Sequence, residues 1–311
     1  MKGISVQVGR KGPRLLHGIS FDAHAGEVLV VLGANGSGKS TLLRTVGGEL
    51  HPSEGSILWK GRELGRHRID DLARERAFLD QQSRVPFAFT AQEIVRMGRY
   101  PFYAHTPDAV DEEAVDTALE AMHVVDLRHR SMPTLSGGEQ QRIHIARVFA
   151  QLHRARGTSL LLMDEPLNDL DIRHQHAVLG MARQKAAEGA CVIIILHDVD
   201  LALRYADRLL LLHGGRVVRH GAAHAILDAA VLEAVYGMPA EVITDPITGG
   251  TRVHFGPPAT GSRAAVTSSR EECAAGRAGP DRSAPALITR RGPAPRAGGT
   301  WERAALAASS A

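Results

Sequence analysis

The eight residues from 33 to 40 constrain this chain more than any other stretch. They read Gly-Ala-Asn-Gly-Ser-Gly-Lys-Ser, which fits the P-loop pattern of a glycine, four residues and then Gly-Lys-Ser. An apolar run typical of a buried parallel strand precedes them at 28–32, and residues 41–46 can continue as a helix. A strand, a glycine-rich loop and a helix in this order predict a phosphate-binding site where the helix begins.

The residue types in this loop suit a nucleotide phosphate. Glycines let backbone N–H groups turn toward an anion, and the new helix adds the positive end of its dipole. We expect Lys39 to reach the β- and γ-phosphates and Ser40 to bind Mg²⁺. The loop residues expected to bind the phosphates are Gly33, Ala34, Asn35, Gly36, Ser37, Gly38, Lys39, Ser40 and Thr41. A glycine-rich turn without a ligand is the alternative, and the spacing and context disfavour it.

A second stretch of this kind lies at 135–142 and reads Leu-Ser-Gly-Gly-Glu-Gln-Gln-Arg. Ser136, Gly137 and Gly138 are expected to begin a helix, which would again point N–H groups at a phosphate. This short motif would be a weak indication by itself.

Two further apolar runs end in residues that can carry out chemistry. Residues 160–165 form a strand pattern that ends in Asp164 and Glu165, and the run at 191–196 ends at His197. Asp164 can hold Mg²⁺ through water, while Glu165 can accept a proton from an attacking water. A solvated carboxylate pair and a surface histidine are the alternatives, and the phosphate motifs favour the functional interpretation.

The charge of the chain is concentrated at its C-terminal end. The net charge of the 311 residues is +3, but residues 258–311 carry eight arginines and four acidic residues, which leaves −1 for the rest. This distribution argues against a nucleic-acid-binding surface. The tail is rich in Ala, Gly, Pro and Arg and is expected to be disordered. Two cysteines without a Cys-x-x-Cys pattern, and no signal peptide or membrane-spanning run, favour a protein of the reducing cytosol.

The motifs occur in one order: the P-loop, Gln81, Leu-Ser-Gly-Gly-Glu-Gln at 135–140, Leu-Leu-Leu-Met-Asp-Glu at 160–165, Leu170-Asp171 and His197. This set closely resembles the ATP-binding subunits of ABC transporters, over roughly residues 3–256. The resemblance implies an α/β fold, namely a P-loop NTPase core with a parallel sheet, an N-terminal antiparallel β subdomain and an inserted helical subdomain. The ATP-binding domain would cover residues 1–257, with the helical subdomain at about 90–150, where Thr90 and Glu93 form a capping-box pattern.

The resemblance also implies roles for residues. Two copies would close head to tail on two ATP molecules, so that Ser136, Gly137 and Gly138 of one copy cap the γ-phosphate held by the other. Ser40 and Gln81 would bind Mg²⁺, and Asp164 would hold its water shell. The catalytic set would be Lys39, Gln81, Glu165 and His197, with Glu165 polarising the attacking water and His197 contacting the γ-phosphate. Asp171 would link the two sites.

Three positions depart from the family pattern. Val8 stands where an aromatic residue usually stacks on adenine, which predicts weaker or less selective base binding. Residues 167–169 read Leu-Asn-Asp where Thr-Ser-Ala is more typical. Asp80 replaces the proline that commonly precedes the glutamine. None of these changes removes a catalytic group.

Segments at 87–101, 197–207 and 235–249 are similar to importers of iron chelates, haem and cobalamin. This similarity implies that the partners are integral-membrane permease subunits and, indirectly, a substrate-binding protein. It also implies that the chain lies at the cytoplasmic face of the cell membrane. Phe87, Phe89, Phe102 and Tyr103 would either receive a permease helix or form ordinary subdomain core.

Two other functions fit the sequence less well. A soluble ABC ATPase of DNA repair or translation usually carries a long coiled coil or two P-loops, whereas this chain has one P-loop and a short interval from Gln81 to Ser136. A regulatory module that only binds nucleotide would not need Lys39, Glu165 and His197 together.

Overall fold

The computed structural model describes residues 1–9, 12–81, 87–103, 108–154, 158–245 and 250–257. Its strands are β1 (Lys2–Gln7), β2 (Arg14–Ile19), β3 (Val28–Leu32), β4 (Glu54–Ser56), β5 (Leu58–Trp59), β6 (Arg62–Glu63), β7 (Arg76–Leu79), β8 (Leu160–Asp164), β9 (Cys191–Ile195), β10 (Arg208–His213), β11 (Arg216–Ala222), β12 (Ala240–Thr244) and β13 (Thr251–Phe255). Its α-helices are α1 (Lys39–Val46), α2 (Ile69–Glu75), α3 (Ala91–Met97), α4 (Ala109–Ala121), α5 (Gly137–Gln151), α6 (Ile172–Ala187), α7 (Val199–Tyr205) and α8 (Ala229–Tyr236). The predicted disordered tail, 258–311, lies outside the described residues.

The central sheet has the strand order β11-β10-β3-β9-β8-β7. The strands from β10 to β7 are parallel, and β11 joins the edge as the antiparallel partner of β10. Every residue of β3, β8 and β9 is buried, because helices cover both faces of a parallel sheet. The predicted α/β core with a parallel sheet is confirmed.

The predicted N-terminal antiparallel part is also present. It is a three-stranded sheet in the order β2-β1-β4. Ile4, Leu16 and Ile19 turn inward from β1 and β2 and pack in one apolar cluster with Leu42 and Leu43 of α1. The sheet therefore supports the helix that follows the P-loop.

Helices α3, α4 and α5 pack against one another in the range where the sequence predicts a helical insertion. Thr90 caps α3 and Asp108 caps α4, each through a reciprocal capping box with the residue three positions on. Arg99 and Asp111 form a buried ion pair at 2.9 Å inside this group.

The last described elements form a small C-terminal unit. Helix α8 ends at Gly237, which adopts the left-handed conformation with φ of 69°, and the antiparallel hairpin of β12 and β13 follows. Tyr236 packs edge-to-face on Phe255 with ring centroids 5.3 Å apart and so joins the helix to the hairpin. Across the described residues, we found no helix with the length and apolar character needed to cross a membrane.

Candidate nucleotide-binding and catalytic site

Two glycines of the P-loop are required by the space around them. Gly33 has φ of 153°, and a Cβ placed on it would lie 2.3 Å from the carbonyl oxygen of Leu212 on β10. Gly38, the N-cap residue of α1, has φ of 99°, and a Cβ there would lie 2.8 Å from the side chain of Leu16. A larger residue at Gly33 would clash with the backbone of β10, whereas at Gly38 the positive φ is the main obstacle to a side chain.

Lys39 begins helix α1 and lies under the loop. It is 5% exposed, and its Nζ donates to the carbonyls of Gly33 at 2.8 Å and Ala34 at 3.1 Å. Burial lowers the pKa of Lys39, and the carboxylates of Glu165 and Asp164 oppose that shift. A buried ammonium with nearby acids provides a positive charge under the loop to attract an anion.

The P-loop opens onto a cavity of about 360 Å³. Its lining residues are Leu15, Asn35, Gly36, Gly38, Lys39, Ser40, Thr41, Gln81 and Glu165. The structure therefore brings most of the predicted phosphate-binding residues together with Gln81 and Glu165, which come from the ends of β7 and β8. Gly33, Ala34 and Ser37 do not line the cavity, and the carbonyls of Gly33 and Ala34 hold Lys39.

Glu165 lies at the centre of a small polar network. Its Oε2 accepts from the amide of Gln81 at 2.7 Å and from that of Asn168 at 3.1 Å, and its Oε1 pairs with Nε2 of His197 at 2.6 Å. The end of β8 thus meets the segment after β7 and the end of β9. Gln81, Glu165 and His197, which are far apart in sequence, meet here.

The titration of Glu165 reflects this network. Burial alone would raise its pKa, but the hydrogen bonds from Asn168 and His197 and the charges of His197 and Lys39 outweigh it and hold the pKa below the ordinary value. Glu165 is consequently a carboxylate at neutral pH, the form that can accept a proton.

Asp164 is 1% exposed at the end of β8. Neither of its carboxylate oxygens accepts a well-formed hydrogen bond. Burial raises its pKa, and the nearby Ser40 hydroxyl opposes that shift. A buried carboxylate beside a serine hydroxyl, with Gln81 lining the same cavity as that serine, provides oxygen groups of the kind that suit Mg²⁺.

The second phosphate motif lies elsewhere in the same chain. Ser136 caps α5 through a capping box with Glu139, and neither it nor Gly137 or Gly138 lines the described cavity. A Cβ on Gly138 would lie 2.6 Å from the carbonyl oxygen of Asp169. Gly138 is thus required by the chain's own packing, a reason that the motif alone did not suggest.

Sequence reasoning missed Asn168 as part of the site. It was noted only as a departure from the family pattern, yet its amide is one of the donors to Glu165. No motif marks it, because the contact depends on the left-handed backbone conformation of Glu165. Asp171, expected to link two sites, here caps α6 by accepting from the His174 N–H. Val8 is 54% exposed and carries no ring to stack on a base.

Comparison with known proteins assigns the family. A family profile described as "ABC transporter" matches residues 16–168. The hemin import ATP-binding protein HmuV of Nocardia farcinica is 44% identical over 248 residues, which cover 79% of this chain and 84% of that protein. The chain belongs to the ABC transporter family. HmuV of Pseudomonas fluorescens strain Pf0-1 is also 44% identical, over 79% of this chain and 95% of that protein.

Solved ABC transporter structures share the fold. An inward-facing transporter assigned to the metal-chelate type has a TM-score of 0.67 at 27% identity and covers 82% of this chain and 95% of its own. A dimeric bacterial ABC transporter cassette has a TM-score of 0.61 at 26% identity and covers 71% and 97%. As an ABC transporter ATP-binding subunit, the chain is an ATPase coupled to transport, as its motifs predicted.

Proposed function

We propose that this chain hydrolyses ATP to drive an ABC importer of haem or a related iron chelate. Two kinds of observation support the cargo class: the relatives named as hemin import ATP-binding proteins, and the structural likeness to a transporter of metal-chelate type. This subunit binds and hydrolyses the nucleotide, so its site supplies the free energy for transport and does not select the cargo.

One observation carries the catalytic part of the proposal. Glu165 lines the same cavity as Lys39 and Ser40, and its carboxylate is held by Gln81, Asn168 and His197. A general base must be fixed near the water from which it takes a proton, and three partners from three segments achieve this.

Each residue has a defined part in hydrolysis. Lys39 exchanges its two carbonyl partners for β- and γ-phosphate oxygens as ATP enters. A water oxygen attacks the γ-phosphorus, its proton passes to Glu165, and the bond from phosphorus to the ADP oxygen breaks. His197 steadies the charge that develops on the γ-phosphate.

Ser40, Gln81 and Asp164 are the residues proposed to hold Mg²⁺, with Asp164 acting through bound water. When bound, this ion neutralises charge on the phosphate oxygens. The buried, poorly satisfied Asp164 carboxylate supports the assignment, because such a group is costly without a cation or a donor beside it.

The complete site is proposed to need two copies of the chain. Ser136, Gly137 and Gly138 lie outside the phosphate cavity of their own chain, so a second copy arranged head to tail would supply them to the γ-phosphate. A structurally similar cassette is a dimer, which supports this arrangement.

The membrane partner is proposed to be an integral permease pair, with the ATPase at the cytoplasmic face and a substrate-binding protein acting indirectly. Phe87 is 66% exposed and contacts Phe89 edge-to-face at 6.1 Å, so it can meet a permease helix.

Phe102 lies under the Arg99 guanidinium at 3.9 Å, and the Tyr103 hydroxyl donates to the Arg96 carbonyl. These two residues therefore serve mainly as subdomain structure.

The catalytic proposal is tested by steady-state ATP turnover of Glu165→Gln. We expect a loss of about a hundredfold or more, since a positioned general base contributes on that order. Glu188→Gln, at an exposed ion pair with Lys185 at the end of α6, is the matched control and should keep wild-type turnover. Normal hydrolysis by Glu165→Gln would show that another group is the base.

The cargo is tested by growth of a source strain that lacks this chain. Growth with haem as the sole iron source should be lost, and growth on a ferrous salt should be kept. The wild-type chain should restore growth on haem, whereas Glu165→Gln should not. Undiminished growth on haem in the deletion strain would contradict the proposed cargo.

A further inference from the structure

We propose that the ion pair between Arg44 and Asp80 positions Gln81 against the P-loop helix. The inference rests on the proposed function, since it concerns the residues assigned to bind Mg²⁺ and to contact Glu165. Arg44 and Asp80 touch neither nucleotide nor base in this account, so they are positioning residues.

The contact is well formed. The Nη2 of Arg44 donates to Oδ1 of Asp80 at 3.0 Å and to Oδ2 at 2.8 Å. Arg44 lies one turn after Ser40 on the same face of α1, and Asp80 directly precedes Gln81. The pair therefore joins the two segments that supply the proposed magnesium ligands Ser40 and Gln81.

The sheet topology explains why such a tie is useful. Strand β7 is at the edge of the central sheet, where β8 is its neighbour within the described strands. Two strands separate it from β3, which leads into the P-loop, so the two strand ends are about 14 Å apart at ordinary strand spacing. A loop that follows an edge strand needs a further contact to keep a metal ligand at a fixed position relative to the P-loop.

Helix α1 provides that attachment at both ends of β7. Arg76, at the start of the strand, donates to the carbonyl of Gly47 at the end of the helix. Arg44 reaches the other end of the strand at Asp80. Between them, a Cβ on Gly47 would lie 3.3 Å from the ring of Phe78, so helix and strand are in close contact. Helix α1 therefore contacts the edge strand or its flanking residue at three points.

The pair is not explained by stability alone. Its side chains are 42% and 36% exposed, and ion pairs at such positions contribute little to folding. The same guanidinium also lies near Glu49, with Nε to Oε2 at 3.9 Å. Glu49 is not next to a site residue, which makes it the control for removing an acid beside Arg44.

The test compares Asp80→Asn, Arg44→Gln, the double variant and the control Glu49→Gln. Turnover is measured against both ATP and Mg²⁺ concentration. Asp80→Asn and Arg44→Gln should each lower kcat about fivefold and raise the Mg²⁺ concentration needed for half-maximal turnover. The double variant should be no worse than either single variant, because both changes remove the same contact. Glu49→Gln should match wild type. The charge-swapped pair Arg44→Asp with Asp80→Arg should recover part of the loss.

Two outcomes would overturn the inference. Opposite effects of Asp80→Asn and Arg44→Gln on the Mg²⁺ requirement would show simple attraction and repulsion of the cation, not positioning. Asp80→Asn that behaves like Glu49→Gln would show that the pair has no role. Gln81→Ala and Glu165→Gln are measured in the same assay. If both lose turnover while Asp80→Asn does not, the proposed catalytic site stands and only the role of the ion pair is refuted.

Discussion

Glu165 shows how the backbone determines the surroundings of one residue of the candidate site. Strand β8 ends at Asp164, and Glu165 has φ of 49°, a left-handed conformation that costs free energy for any residue other than glycine. The turn directs its side chain away from the strand and toward Gln81 and His197, while Asp164 stays buried beside Ser40. Two adjacent carboxylates thus obtain different surroundings and opposite pKa shifts.

Val8 is the residue where a change should improve the site. If Val8 lies beside the adenine, Val8→Tyr should lower KM for ATP about fivefold, because ring stacking adds on the order of 1 kcal/mol. The measurement is turnover against ATP concentration, with Val8→Leu as the control that enlarges the side chain without adding a ring. An unchanged KM in Val8→Tyr would show that the base binds elsewhere.

The residues that meet at the candidate site could be predicted from sequence, and some of their partners could not. Lys39 is fixed within its motif, and Gln81, Glu165 and His197 each follow a recognisable strand. Asn168 contacts Glu165 only because the backbone turns at that residue, and no pattern of residue types encodes that turn. The partner of Asp80 depends on how α1 crosses the sheet, which is a tertiary property.

Among the helices, α4 relies on one residue, Asp111, both for its N-terminal cap and for an ion pair with Arg99. Asp111 completes the capping box with Asp108 and also pairs with Arg99, which donates in turn to the carbonyl of Ala150 on α5. The ion pair is about 95% buried on both sides, since the side chains are 4% and 5% exposed. This contact joins the segment after α3 to α4 and α5.

Asp111→Asn should therefore destabilise the chain by about 3 kcal/mol or more, because it leaves the Arg99 charge buried without its counter-charge. Urea unfolding followed by circular dichroism measures the change. Glu112→Gln, in the same turn of α4 and in a more exposed pair with Arg96, should change the free energy of unfolding by less than about 1 kcal/mol. Equal effects of the two substitutions would contradict this account.

The elements themselves were predictable to different degrees. The apolar runs of β3, β8 and β9 identify strands because each is buried on both faces. The capping-box pattern of Thr90 and Glu93 correctly marked the start of α3. The strand order was not predictable from local pattern, because it depends on which helices pack between strands that are distant in sequence.

For the whole molecule, the separation of the two phosphate motifs is the main consequence of the fold. The P-loop begins α1 beside the central sheet, whereas Ser136 begins α5, which packs with α3 and α4. The P-loop and residues 136–138 therefore do not line one cavity within the same chain. In the proposed dimer, Ser136, Gly137 and Gly138 of each copy would complete the phosphate site of the other.

The most direct test of that claim is the size of Glu165→Gln in solution with and without MgATP, by sedimentation. The variant should be a monomer with ADP and a dimer with ATP, because it should bind ATP without hydrolysing it. Adding Ser136→Arg to the same variant should keep ATP binding and abolish the dimer. A Glu165→Gln chain that binds ATP but stays monomeric, or a dimer unaffected by Ser136→Arg, would contradict a site shared between two copies.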